Sequence, residues 1–379
     1  MRMISRRQLL QGAGAVLGAG ACPALLRAAV AQELVIARPD HVIRAGTNEN
    51  PYGPSRVALQ AIAEAMDLTN QYGRGHYDEL IQLVADLNSV PVENVVLGTG
   101  SGEILKTGGL IASWDKGSVV CADPTYHDLV RYAGNAGSEI IRVPVNENLE
   151  TDLDAIASAI RDDTVMVYLV NPNNPLPNYV TKDILKDFVR EVSKDRMVFV
   201  DEAYFEYIED PDYGSMIELV AEGNPNVIVA RTASKIHGLA GLNVGFGFAH
   251  PAMIERIQAL KTGRNNILGI EAAYASYQDL EFQDFTRRKN KESMAIVEQM
   301  FEELGVRYVK SQTNFTFFET GIPVREVNAA LLDEGIQVGR PFPPFETWSR
   351  VSMAKPEEMR YYVQTFKRLF GRRILDSAA

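Results

Sequence analysis

The chain has 379 residues, 46% hydrophobic and 23% charged, ordinary for a soluble globular protein and long enough for two domains around a large core. Its net charge of −11 deepens to about −15 once four arginines of an N-terminal leader are set aside, which argues against a nucleic-acid partner or an anionic membrane surface. Cys22 and Cys121 are the only cysteines, and Cys22 lies in that leader, so the remainder can form no intramolecular disulfide.

Residues 1–31 read as a targeting segment. Ser5-Arg-Arg-Gln-Leu-Leu-Gln11 sets an arginine pair before a Gly/Ala/Leu run that reaches Leu26, and Ala29-Val30-Ala31 offers a small-x-small cleavage site. The pattern resembles a twin-arginine export signal. It implies the twin-arginine export machinery as a partner and a periplasmic or exported protein, soluble after cleavage. A membrane anchor is the rival reading, but the run is only mildly hydrophobic and close to the lower length for a span.

From Arg44, Ala-Gly-Thr-Asn-Glu-Asn-Pro-Tyr-Gly-Pro54 is too rich in Gly, Pro and Asn for regular structure and predicts an ordered arm. Ser55 caps a predicted amphipathic helix reaching Met66. Asn70 to His76 is a second irregular segment, before a helix from about Tyr77 to Asn88.

Short apolar runs then alternate with helical patterns: Val95–Leu97, Val119–Ala122, Ile140–Val143, Val165–Val170, Met197–Val200, Val227–Ala230 and Val244–Phe248. Continuous apolar strands separated by helices predict a mainly parallel α/β sheet covered on both faces. Ligands in such sheets bind beyond the carboxyl ends of the strands. The residues just after each run therefore carry the functional signal.

After the first run, Gly98-Thr-Gly-Ser-Gly-Glu103 opens a helix, an arrangement whose free N–H groups can cradle a phosphate. Asp123-Pro-Thr-Tyr126 offers an aromatic ring, Asn171-Pro-Asn-Asn-Pro175 fixes Asn174, and Asp201-Glu-Ala-Tyr204 places an acid at a strand end. Arg231-Thr-Ala-Ser-Lys235 follows, with hydroxyls at Thr232 and Ser234 and glycines at Gly238 and Gly241. A lysine pinned there can form an imine with an aldehyde, provided burial or nearby charge lowers its pKa. Taken alone, a surface lysine is the commoner reading.

The ordered set Asn-Glu-Asn-Pro, Gly-Ser-x-Glu, Pro-Thr-Tyr, Asn-Pro-x-Asn-Pro, Asp-Glu-Ala-Tyr and Ser-Lys-x-x-Gly-Leu-Ala-Gly resembles the fold type I pyridoxal-phosphate enzymes. Within these it is similar to the class I/II aminotransferases near histidinol-phosphate aminotransferase, over about Arg44 to Phe370. The resemblance implies an arm with part of a small domain over 32–76 and a large cofactor-binding domain over 77–269. That domain would hold a mainly parallel seven-stranded sheet between helices, followed by a smaller α+β domain over 270–379.

It also implies pyridoxal 5'-phosphate as cofactor and a role for each matched residue; no metal is expected. Lys235 becomes the imine lysine, and Asp201 the partner of the pyridine nitrogen. Tyr204 and Asn174 would bond the ring's 3′ oxygen and Tyr126 would stack on its face. Ser101 and Gly102, with Thr232 and Ser234, would hold the phosphate; Glu103 joins this set or only caps its helix. Tyr72 matches a tyrosine that reaches the phosphate of a partner subunit, implying a homodimer with shared sites. Arg350 matches a carboxylate-binding arginine, Arg340 is a second anion contact, and Asn50 is placed along the substrate pocket.

Two departures stand out. Leu176-Pro177 follows the Asn-Pro-x-Asn-Pro turn where Thr-Gly is usual, and Asn243 stands where an arginine usually meets the cofactor phosphate. The activity implied is transfer of an amino group between an amino acid or amine and a 2-oxo acid. A decarboxylase, oxidase or racemase on the same cofactor is the rival within this fold, and a non-catalytic binding protein the rival outside it.

Overall fold

A computed structural model describes residues 36–378; the leader expected over residues 1–31 lies outside them. The arm begins with β1 (Ile43–Ala45), and α1 (Arg56–Glu64) starts where Ser55 Oγ accepts from Ala58 N–H. Next, α2 (Arg74–Leu87) starts three residues before the expected Tyr77, because left-handed Gly73 turns the chain directly into it.

The alternating stretch follows as β2 (Val95–Thr99), α3 (Ser101–Trp114), β3 (Ser118–Asp123), α4 (Asp128–Asn135), β4 (Ile140–Pro144) and α5 (Leu153–Ser158). It continues through β5 (Thr164–Val170), α6 (Lys182–Val192), β6 (Met197–Asp201), α7 (Ile217–Ala221), β7 (Val227–Thr232) and β8 (Val244–Ala249). All seven predicted runs join one sheet in the order β2-β8-β7-β6-β5-β3-β4. β8 alone runs antiparallel to its neighbours, β2 and β7.

Strand residues alternate between two buried layers. Val167, Leu169, Val198, Val200, Val227, Val229, Phe246 and Phe248 pack on one face, and Met166, Tyr168, Phe199, Ile228 and Ala230 on the other. Burial on both faces explains why these strands read as continuous apolar runs. Emptying one of the fully buried phenylalanines costs about 3–5 kcal/mol. Cys121 is buried within β3, and burial pushes its thiol up to about 12.

The last third contains α8 (Pro251–Leu260), α9 (Ile267–Gln278), the long α10 (Leu280–Leu304), β9 (Tyr308–Val309) and β10 (Phe315–Glu319). Then come α11 (Val324–Asp333), β11 (Ile336–Val338), β12 (Trp348–Ser352) and α12 (Pro356–Phe366). Here the sheets are small: an antiparallel β12-β10-β9 set, and β1 paired parallel with β11. Through that pairing the arm is bound to the C-terminal part of the chain. Among the described residues no helix is long and apolar enough to cross a membrane.

Candidate active site

A cavity of about 940 Å³ opens beyond the carboxyl ends of the parallel strands. Ser101, Gly102, Glu103, Tyr126, Asn174, Asp201, Tyr204, Thr232, Ser234, Lys235, Arg340 and Arg350 all line it, together with Asn243.

The cradle end is built by close approach. A Cβ on Gly245 of β8 would come within 2.1 Å of Ser101 N, so only glycine lets the β2–α3 turn lie on that strand. Gly100 turns the chain at φ +74, and the first N–H groups of the fourteen-residue α3 are left for an anion. Thr232 Oγ1 donates to Ser234 Oγ at 2.9 Å beside it. Glu103 accepts from Thr99 N–H at 2.7 Å, Thr99 Oγ1 at 2.9 Å, and Gly263 N–H. Its carboxylate thus ties the turn to the loop after α8.

Asp201 ends β6, 2% exposed, with Oδ1 accepting from Ala203 N–H at 3.1 Å. Burial pushes its carboxyl up to about 7, against the pull of that N–H and of Lys235. Lys235 Nζ stands 5.5 Å from the centre of the Tyr204 ring. The Tyr204 hydroxyl accepts from Asn174 Nδ2 at 3.3 Å and from Asn48 Nδ2 at 2.8 Å.

Arg350 is 8% exposed and sits over Phe342 at 4.9 Å; burial lowers it to about 10. Nη1 donates to Asn174 Oδ1 and Nη2 to Gly46 O, while Nε is buried without a partner. Arg340 is exposed at the rim, 3.5 Å from His127 Nδ1.

Two expected residues lie outside the cavity lining. Asn50 Nδ2 donates to Ile236 O at 2.8 Å and holds the arm against the lysine turn. The fit there is tight, since a Cβ on Gly238 would lie 2.1 Å from Gly53 O. Tyr72 is 84% exposed, with the Arg264 guanidinium 5.3 Å from its ring.

Asn48 was missed in the sequence, although it stands in the same Asn-Glu-Asn segment. It adopts φ 57, a left-handed conformation that asparagine tolerates, and Ser352 Oγ donates to its Oδ1 at 2.7 Å. His127 and Lys106 also line the cavity unforeseen.

This donor set fits pyridoxal phosphate. One end is a glycine-built helix N-terminus flanked by hydroxyls, suited to a phosphate. A buried carboxylate held high by desolvation suits a protonated ring nitrogen, and an amine for the aldehyde stands in the same cavity.

A family model described as aminotransferase class I and II matches residues 40–366. A histidinol-phosphate aminotransferase of Moorella thermoacetica is 35% identical over 333 residues, covering 87% of this chain and 86% of the relative. That of Brevibacillus brevis is 36% identical over 301 residues, covering 78% and 81%. The crystal structure of a histidinol-phosphate aminotransferase from Sinorhizobium meliloti in complex with pyridoxal-5'-phosphate superposes with a TM-score of 0.79 at 25% identity, over 89% of this chain and 92% of that one.

Proposed function

The chain belongs to the class I and II aminotransferases, and from that membership we propose how its residues divide the work of a pyridoxal-phosphate-dependent transaminase. The reaction moves an amino group from an amino acid or amine to a 2-oxo acid. The observation that carries this reading is the shared cavity of the Lys235 amine, the buried Asp201 carboxylate and the helix-terminus cradle.

When bound, the cofactor supplies an aldehyde for the amine and a ring that accepts the electron pair left at the substrate carbon. Lys235 would hold that aldehyde, and its amine, once free, would carry the proton removed from the substrate's Cα to a different carbon. Asp201 would keep the proton on the ring nitrogen. The Tyr204 hydroxyl, oriented by Asn48 and Asn174, would bond the ring oxygen, and Tyr126 would cover the ring. Ser101, Gly102, Thr232 and Ser234 would hold the phosphate, with Glu103 bracing their turn. Arg350 orients an anionic group of the substrate, and Arg340 adds positive charge at the rim.

A single-turnover screen of amine donors, read as loss of the lysine-bound visible band and appearance of an oxo product, tests this reading. Loss of carbon dioxide, or an oxo product that forms only with uptake of oxygen, would replace it with a decarboxylase or oxidase. The named relatives are histidinol-phosphate aminotransferases, so histidinol phosphate belongs in the screen. If the chain is exported by the twin-arginine route, histidinol phosphate is not its physiological donor, because a biosynthetic intermediate stays on the other side of the membrane.

Export itself rests on the Arg6-Arg7 pair. Replacing both with lysine traps the protein inside with its leader intact; undiminished export of that variant would redirect the reading to the general secretory route. The exposed Tyr72 ring supports a homodimer with shared sites. Mixing a Tyr72→Ala protein with a Lys235→Ala protein should regenerate one competent site per mixed dimer. Activity that merely sums the two parents would sink the sharing.

A further inference from the structure

The turns that carry Tyr204 and Lys235 meet at a buried polar cluster that none of these roles uses. Glu206 follows Tyr204 by two residues, and His237 follows Lys235 by two. His237 is 1% exposed; its Nδ1 lies 2.9 Å from Ser276 Oγ on α9, and its ring stacks on Tyr277 at 4.0 Å. Its Nε2 is buried without a hydrogen-bond partner, as are Glu206 Oε2 and the Tyr277 hydroxyl. Glu206 Oε1 stands 4.0 Å from that Nε2. Unpaired polar atoms at such depth are costly, so a small side-chain rotation that joins acid to imidazole is favoured.

The surroundings decide which charge states fit. Burial pushes the Glu206 carboxyl up to about 7; Arg231 opposes this, Glu202 adds to it, and Arg287 opposes it again. Burial pushes His237 down to about 3, opposed by a hydrogen bond to the Ser276 backbone and reinforced by Arg287. Arg231 is already taken by Glu202 at 3.0 Å, and Arg287 Nη1 by the Glu206 carbonyl at 2.8 Å. Tyr207, Tyr213 and Tyr277 complete the surroundings, their hydroxyls kept protonated by burial. Below neutral pH the acid and the imidazole are both uncharged.

We infer that Glu206 and His237 are positioning residues: the neutral carboxylic acid gives its hydrogen bond to imidazole Nε2 and ties the Tyr204 turn to the Lys235 turn. The imidazole proton then sits on Nδ1, donated to Ser276 Oγ. The positioning role rests on Lys235 and Tyr204 carrying the reaction, whereas the pair itself has a signature that needs no chemistry.

Glu206, raised above its ordinary 4.5, contributes stability that is lost as pH climbs from about 4.5 to about 7. His237, held below its ordinary 6.5, contributes stability that is lost as pH falls from 6.5 toward 3. Between 4.5 and 6.5 the two slopes oppose each other and cancel.

The experiment measures unfolding free energy against pH across that window for wild type, Glu206→Gln, His237→Phe and the double variant. Glu206→Gln should tilt stability upward with pH and His237→Phe downward, each by up to about one proton per molecule, and the double variant should restore the wild-type slope. The slopes report the burial of each group; the bond between them is read at pH 5.5 from Glu206→Leu, His237→Phe and their double variant, where the two single losses should together exceed the loss in the double variant. Additive losses overturn the pair, as do four equal slopes.

A second arm separates positioning from packing in the cofactor-loaded enzyme. The Glu206→Gln amide still donates to Nε2, so the single-turnover rate should stay within about twofold, whereas Glu206→Leu should lower it about tenfold with KM little changed. Equal rates in the two variants overturn the positioning role. Because the first arm reads no reaction, its outcome stands apart from the donor screen that tests the transaminase reading.

Discussion

Arg350 Nη1 donates to the amide oxygen of Asn174 at 2.7 Å, and the same amide reaches Tyr204 through its nitrogen. The arginine proposed to meet the substrate's anion is thereby coupled to the phenol proposed to meet the ring. Arg350→Ala removes both a planar fork and the partner of a buried amide oxygen. We expect kcat/KM for carboxylate-bearing donors to fall by about two orders of magnitude, with Arg350→Lys rescuing little because a point charge cannot hold both contacts. Steady-state kinetics on carboxylate and uncharged amine donors separates the cases: equal losses on both would place Arg350 in a purely packing role.

Lys235→Ala should abolish the lysine-bound visible band and the turnover together. Absorption and activity of the variant check this. A surviving band with full turnover would move the chemistry to another amine.

Asp201→Asn should split stability from activity. With the cofactor removed, the wild-type carboxyl is held at about 7 against an ordinary 3.8, so its ionisation destabilises the fold progressively as pH rises through that interval. The amide escapes this. Above neutral pH the cofactor-free variant should be more stable than wild type by on the order of 2–4 kcal/mol, while the loaded variant turns over orders of magnitude more slowly. Thermal melts at pH 5 and pH 8 provide the check, and a variant less stable at both would show that Asp201 is paired in the empty protein.

Asn243 lines the cavity at φ 53 beside Gly100, where the resemblance leads one to expect an arginine on the phosphate. Arg231 does not replace that charge, because it is buried against Glu202 and stacked 3.5 Å from the Phe205 ring centre. Asn243→Arg should gain a charged hydrogen bond of roughly 1.5–3 kcal/mol on binding the cofactor, while the left-handed backbone, strained with and without cofactor, costs about 1 kcal/mol of fold stability. Tightening of cofactor binding by about one to two decades is expected from equilibrium dialysis. Unchanged binding would mean that the residue does not face the phosphate.

The Glu202–Arg231 pair carries a structural prediction. Both side chains are buried, and Met216 N–H and Ser215 Oγ also donate to Glu202. Arg231→Met strands a buried carboxylate and should cost about 3–5 kcal/mol in denaturant unfolding. A loss under 1 kcal/mol would show the pair to be dispensable.

The parallel sheet was legible because its strands, buried on both faces, leave long apolar runs that helices interrupt. The candidate residues from Ser101 to Lys235 then followed these runs, where the chain must turn. Arg231 could have been placed more firmly from the same logic. Neighbours along a strand face opposite ways, so a cavity-facing Thr232 sends Arg231 behind the sheet. Asn48 was beyond such reasoning, since its position depends on a left-handed backbone and on Ser352 from the far end of the chain. Asn50, two residues on, carries the same side chain to a different task, and only the path of the arm distinguishes them.

That path has a consequence for how the protein is made. Asn48 and Ser352 are 304 positions apart, yet their hydrogen bond helps fix the Tyr204 hydroxyl. The strand ends can assemble while the ribosome is still working, but the cavity cannot close until Arg350 and Ser352 have emerged. A chain that has not yet released Ser352 therefore presents a half-built cleft, and synthesis sets the earliest moment at which the cofactor can be gripped from both sides.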